Sequence, residues 1–147
     1  MLLHAPWGGR EAVEGTHVLD VFAGTGAFGL EALSRGAAYA TFIEHDRVAL
    51  AALRANIVAF HAQDRCTVLA TDVLAVPPGK PAELVFLDPP YRHELLPRAL
   101  ARLRAVHRLA PHALIVVETG TEEPVPVTTL LAERTHGAAR LSVWREP

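Results

Sequence analysis

The chain has 147 residues, 50% of them hydrophobic and 20% charged, with a net charge of −2. That length suits one domain over residues 1–147. The composition excludes a disordered chain, and the charge excludes the global basic field that draws nucleic acid non-specifically. No apolar run approaches the ~18 residues of a membrane span, and no basic stretch precedes an apolar N-terminal core, so neither a span nor a signal peptide is expected. Cys66 is the single cysteine. It leaves no intramolecular disulfide and no zinc cluster, and the cytoplasm is the expected address.

Val18 to Phe22 is short and apolar and is followed by Ala23-Gly24-Thr25-Gly26, a strand running into a glycine turn. Helix formers fill Ala27 to Ser34, and Gly36 stands where that helix should end. Tyr39 to Glu44 is a second strand. Asp46 is placed to cap the next helix, in which Val48, Ala51, Ala52, Ala55 and Val58 recur at helical spacing. Cys66 to Ala70 is a third strand, and Pro77, Pro78 and Pro81 keep the following stretch out of any helix interior. Leu84 to Leu87 is a fourth strand, stopping at Asp88-Pro89-Pro90-Tyr91.

A helix from about Glu94 to Leu109 would bury Leu96, Leu100, Leu103 and Val106. Ala113 to Glu118 is a fifth strand, and Thr129 to His136 with Ala138 to Arg145 form a closing hairpin turning at Gly137. Near-wholly apolar strands alternating with helices predict an α/β fold, a parallel sheet covered on both faces. Ligands of such sheets bind beyond the carboxyl ends of the strands.

Two clusters at that rim carry chemistry. Gly24, Gly26 and Gly29 spell G-x-G-x-x-G between strand and helix, and Glu44 stands twenty residues after Gly24. Glycines admit close approach of backbone to ligand, and the acid can take ribose hydroxyls. Nicotinamide and S-adenosylmethionine (SAM) sites share this pattern. Asp20, inside the first strand, favours SAM, because it can face the amino group of a methionine and would repel a pyrophosphate. The second cluster is Asp88-Pro89-Pro90-Tyr91. An exocyclic ring amine is a poor nucleophile because its lone pair is delocalised. A carboxylate and a proline carbonyl accepting its two hydrogens would draw that pair out, and Tyr91 offers a stacking face for a planar base. Asp72, ending the third strand, is placed to accept from the adenine amino group. Asp20, Glu44, Asp72 and Asp88 together would ring a cationic sulfonium. At an effective dielectric near 20 a charge pair at 4 Å is worth ~4 kcal/mol before desolvation.

Other residues read more plainly. Arg98, Arg102, Arg104 and Arg108 flank the apolar stripe of their helix as a solvated face with apolar stems laid along it. Arg92, next to Tyr91, is within reach of a phosphate. The histidines show no ligand spacing, so no metal is expected. Cys66, Trp7 and Trp144 read as packing residues, and Glu118 closes the fifth strand as a candidate second acid.

The run Val18-Leu19-Asp20-Val21-Phe22-Ala23-Gly24-Thr25-Gly26-Ala27-Phe28-Gly29-Leu30-Glu31-Ala32-Leu33-Ser34-Arg35-Gly36-Ala37 resembles the RsmD family of bacterial 16S rRNA guanine-N2 methyltransferases. So do Phe42-Ile43-Glu44-His45-Asp46, Asn56, Leu84 to Tyr91 and the Gly137 hairpin. The resemblance implies a class I SAM-dependent, Rossmann-like fold with a mostly parallel seven-stranded sheet in the order 3-2-1-4-5-7-6. It implies SAM held by Asp20, Phe22, Ala23, Gly24, Thr25, Gly26, Glu44, His45, Asp72 and Val73. It also implies catalysis by Asp88, Pro89, Pro90 and Tyr91, with Tyr91 and Arg92 on the substrate, which is 16S rRNA in the small ribosomal subunit or its assembly intermediate. Family members carry a longer basic segment upstream, and residues 1–16 read as the remnant of its helix and linker. This chain alone is therefore expected to hold RNA weakly.

Three alternatives stay open. One is an enzyme acting on adenine N6 or a protein glutamine amide, since the Pro-Pro turn is shared among them. The second is a SAM-binding module without turnover. The third is an NAD-dependent dehydrogenase, which Asp20 and the lack of a second catalytic domain disfavour.

Overall fold

The computed structural model describes residues 9–90, 94–127 and 129–147. Trp7, Tyr91 and Arg92 lie outside them. After a 3-10 turn at Gly9–Ala12, the elements are β1 (His17–Val21), α1 (Ala27–Ser34), β2 (Tyr39–Glu44), α2 (Arg47–Ala59), β3 (Cys66–Ala70), β4 (Ala82–Leu87), α3 (Leu95–Ala105), β5 (Leu109–Gly120), β6 (Ala132–His136) and β7 (Ala139–Arg145). The strands form one sheet in the order β3-β2-β1-β4-β5-β7-β6, the order the resemblance implied. β3 through β5 run parallel, and β7 is antiparallel to both β5 and β6.

Side chains alternate cleanly across the central strands, as the pleat requires. Val18, Phe42, Leu84, Phe86 and Leu114 face α1 and α2, where Leu30, Leu33, Leu53 and Ile57 meet them. Leu19, Val21, Ile43, Val85 and Ile115 face α3, against Leu96, Leu100 and Leu103. Each such side chain is worth about 1.5–3 kcal/mol of burial. Asp20 is the polar residue of β1 that falls on the α1 side. β1 lies between β2 and β4, so the crossovers diverge on either side of it and a crevice opens beyond its carboxyl end.

Several local readings need correction. In α2 the buried stripe is Leu53 and Ile57, while Val48 is 80% and Val58 55% exposed. Small alanines fit the helical period equally well in either phase, and the larger aliphatics decide which face turns inward. The third helix stops at Ala105, not Leu109. His107 takes a left-handed φ of +60, and Arg108 N–H returns to the Leu103 carbonyl. That is a Schellman ending with histidine where glycine is usual, and α2 ends the same way through His61 at φ +53. β5 therefore begins at Leu109 rather than Ala113. It passes a register shift near Pro111 and His112, the latter at φ +62. β6 begins at Ala132 and is mostly exposed, so the sheet is not covered along its whole width.

Arg98 is exposed, as its place on the helix suggested, but Arg102, Arg104 and Arg108 are engaged by partners rather than left to solvent. Arg102 donates to the Val76 carbonyl at 3.1 and 2.7 Å, and Arg104 forms a two-pronged pair with Glu146 at 2.9 Å on each prong. Arg108 is buried and donates to the Pro77 and Pro78 carbonyls at 3.0 and 3.3 Å. Prolines cannot close such a loop with their own N–H groups, and the guanidinium supplies the donors instead. Nearby, buried His17 lies 2.8 Å from the Thr41 hydroxyl and 3.3 Å from the Pro81 carbonyl, while its backbone N–H donates to Glu83 at 2.7 Å. The amino-terminal edge of the sheet is thus tied into a saturated polar network. Cys66 is half-buried, and Trp144 is in the core.

Candidate functional site

The carboxyl-terminal edge is built differently. The chain leaves β1 through Phe22 at φ +61, and Gly24 and Gly26 both take positive φ, +57 and +84. Ala23 N–H donates to the Ile43 carbonyl at 3.0 Å, and Gly26 N–H to the Ala23 carbonyl at 2.8 Å, which makes the turn tight. A side chain on Gly26 would overlap Leu53, whereas one on Gly24 would meet nothing within 4 Å and stand in open space. Two side chains from elsewhere fix this loop. The Glu44 carboxylate accepts from Gly24 N–H at 2.8 Å and from His45 and Asp46 N–H at 3.1 and 2.9 Å. Asn56 of α2 donates to the Thr25 carbonyl at 2.9 Å.

Below the loop is a cavity of about 500 Å³. Its floor and one side come from Asp20, Phe22, Ala23, Gly24 and Thr25, and its other walls from Ala27, Phe28 and Glu31 of α1 and from Phe86 and Asp88 at the end of β4. Phe28 and Phe86 stack with ring centroids 4.3 Å apart and planes 10° from parallel. Among the described residues the charged lining consists of three carboxylates, with no lysine or arginine. Such a lining attracts a cation or a row of hydrogen-bond donors and repels a pyrophosphate.

Asp20 is fully buried, and one oxygen accepts from Gly29 N–H at 3.0 Å. α1 has no side-chain cap at Gly26, and the Asp20 carboxylate of the adjoining β1 serves in its place, taking Gly29 N–H of the first turn. Burial raises the Asp20 pKa to about 8 against the pull of the Gly29 bond, and the charges of Asp88 and Glu44 push the same way. Asp88 accepts from no described residue. Withdrawal from water on its inner side raises its pKa to about 6, with Glu118 and Glu123 adding to the rise. Glu118 thus acts on Asp88 through its charge.

The sequence-predicted residues divide accordingly. Asp20, Phe22 to Thr25 and Asp88 meet in the cavity; Gly26 and Glu44 support its loop. Asp72 is exposed at the end of β3, capping a 3-10 turn through Leu74 N–H at 2.9 Å and leaving its second oxygen open. Val73 is buried in the core with its side chain turned away from solvent, and His45 is exposed. Pro89 and Pro90 follow Asp88 at the rim. Sequence reasoning did not single out Phe28, Glu31 and Phe86. The signal available was the spacing of Ala27, Phe28 and Glu31 on one helix face immediately after the glycine turn. Among the described residues no group of three metal-ligating side chains comes together, and no helix is long and apolar enough to cross a membrane.

Comparison with known proteins places this architecture in company. A family model described as Conserved hypothetical protein 95 matches residues 6–145. Ribosomal RNA small subunit methyltransferase D of Haemophilus influenzae is 36% identical over 135 residues, covering 86% of this chain and 70% of that protein. The Escherichia coli protein of the same name is 42% identical over 109 residues, 74% of this chain and 55% of its own length, so the chain spans little more than half of that relative. Among solved structures, a putative methyltransferase from Escherichia coli superposes with a TM-score of 0.82 at 35% identity, covering 91% of this chain and 78% of that one. An RNA methyltransferase from Salinibacter ruber, solved with S-adenosyl-L-homocysteine, gives 0.71 at 19% identity over 92% of this chain and 84% of its own, a likeness of fold.

Proposed function

This chain belongs to the ribosomal RNA small subunit methyltransferase D family, and from that premise we propose that it binds S-adenosyl-L-methionine and methylates the exocyclic N2 of one guanine in 16S rRNA. The observation that carries the reading is the cavity beneath the glycine loop, whose charged lining is carboxylate alone among the described residues. The cofactor, when bound, supplies a methyl group on a positively charged sulfur. Buried Asp20 and rim Asp88 answer that charge, and the open space at Gly24 admits a ligand against the backbone. The Glu44 carboxylate, already collecting three N–H groups, keeps acceptor capacity for ribose hydroxyls, and the open oxygen of Asp72 suits the adenine amino group.

Asp88 and the Pro89 carbonyl accept the two N2 hydrogens of a base flipped into the cavity, and this localises the nitrogen lone pair. Tyr91 stacks on the base and Arg92 reaches a flanking phosphate. The N2–methyl bond forms as the sulfur–methyl bond breaks, with the bonding pair returning to sulfur. N2 would become strongly acidic once its lone pair is shared and would then give its proton to the Asp88 carboxylate, so no proton has to leave first and no covalent enzyme intermediate forms.

The test is transfer from labelled S-adenosyl-L-methionine to small subunits lacking the modification, followed by nucleoside analysis. The expected product is N2-methylguanosine. Label in N6-methyladenosine or in protein would overturn the assignment of the target, and calorimetric binding of NAD in place of S-adenosyl-L-methionine would overturn the cofactor.

A further inference from the structure

Resting on the reading that the target is guanine N2, we propose that Glu31 selects guanine over adenine, its carboxylate accepting from N1–H while Asp88 accepts from N2. Glu31 lies three residues after Phe28 and four after Ala27, so α1 presents it with them as one wall of the cavity. Phe86 and Asp88, two residues apart on β4 and its end, form the facing wall. The Phe28–Phe86 stack joins the two walls, so the acids flank an aromatic surface suited to a planar ring.

Of the three carboxylates in the lining, Asp20 is fully buried and committed to Gly29 N–H, and Asp88 is assigned to the reacting nitrogen. Glu31 remains. Its Oε2 lies 3.5 Å from Arg35 Nε one turn further along α1. Its Oε1 has no partner among the described residues, and the side chain is 30% exposed.

Guanine carries N1–H directly beside its N2 amine, a run of donors that two carboxylates can take. Adenine carries a bare acceptor nitrogen beside its amine, and an ionised carboxylate, which can only accept, is repelled there. A site built around a donor rejects an analogue lacking it far more strongly than an apolar pocket rejects a missing methylene. Glu31 therefore supplies the discrimination that the Asp-Pro-Pro-Tyr turn, common to several amine chemistries, lacks.

The experiment crosses protein variants with base analogues. 2-Aminopurine keeps the reacting N2 amine but lacks both N1–H and O6, so in small subunits carrying it at the target position the contact is isolated by crossing this base change with the Glu31 change rather than by the base change alone. Wild type should favour guanine over 2-aminopurine by about 10- to 100-fold in kcat/KM. Glu31→Ala should lose about that factor on guanine and almost none on 2-aminopurine, while Glu31→Gln, which keeps a carbonyl acceptor, should recover part of it. Alanine favours helix, so α1 should survive the change. A second readout needs no turnover: saturation-transfer NMR with guanosine and 2-aminopurine riboside on protein saturated with S-adenosyl-L-homocysteine should show the same preference and its loss in Glu31→Ala. An unchanged guanine preference in Glu31→Ala overturns the proposal. A fall in S-adenosyl-L-methionine affinity with the preference intact does so too, and assigns Glu31 to the methionine ammonium. If the wild type transfers no methyl group to any base, the methyltransferase reading falls, while the nucleoside arm still decides the role of Glu31.

Discussion

The two edges of the sheet use the same kinds of residue to opposite ends. At the amino-terminal edge His17, Arg102 and Arg108 are withdrawn from water, and each meets partners in fixed positions: Thr41 and Pro81, Val76, and Pro77 with Pro78. At the carboxyl-terminal edge the charges of Asp88 and Glu44 add to the raised proton affinity of buried Asp20, and Asp88 itself is unpartnered among the described residues. A satisfied buried polar group rigidifies a fold, and an under-satisfied one holds interaction capacity in reserve for a ligand. Burial alone does not mark a functional site. The balance of donors and acceptors does.

Four experiments would break or sharpen that contrast. Asp88→Ala should cut methyl transfer by about 10²–10⁴-fold, the usual worth of a positioned polar catalyst, with S-adenosyl-L-methionine affinity nearly unchanged. Single-turnover rates alongside calorimetry would check it, and lost cofactor binding would move Asp88 to the cofactor site. Glu44→Ala should weaken cofactor binding by about 1.5–3 kcal/mol, and equal binding by the variant would remove Glu44 from the ribose. At the other edge Arg108→Ala should lower unfolding free energy by about 1–3 kcal/mol, since it orphans the Pro77 and Pro78 carbonyls. Cofactor affinity should stay put in that variant, as titration and urea melts on the same sample would show.

The fourth effect is a slope rather than a step. In the folded, ligand-free protein Asp20 stays protonated up to about pH 8, whereas in the unfolded chain it ionises near 3.8. Between those values the native state holds the extra proton, so this group's contribution to stability falls as pH rises and levels off above 8. A cationic ligand favours the ionised form, so its affinity should rise toward pH 8, by at most about tenfold per pH unit. Asp20→Asn keeps an acceptor for Gly29 N–H and should flatten both curves. A variant that tracks the wild type across the whole range would show that Asp20 does not titrate there.

Much of this was legible because the strong signals are local. Apolar runs bounded by glycine and proline placed β1 to β4, and Asp46 caps α2 through Ala49 N–H as its position suggested. The misses share a physical cause, which is that they depend on partners distant in sequence. Nothing in the sequence near His61 or His107 announces a left-handed helix ending, since glycine is the usual marker. At the site, Asp20 and the glycine loop could be read from spacing. Phe86 joining Phe28 could not, because the stack needs β4 beside β1.

The bonds from Glu44 and Asn56 to the glycine loop also bear on how fast and how sharply a ligand is captured. That loop is held before any ligand arrives, with Gly24 N–H and the Thr25 carbonyl both engaged by side chains of neighbouring elements. Little backbone entropy is then left to lose on binding, and association needs no slow rearrangement of the loop. Capture should run in a single kinetic phase with an observed rate linear in ligand concentration. In Asn56→Ala the loop would fluctuate and the ordering cost would return, as a less favourable binding entropy at nearly unchanged contact area.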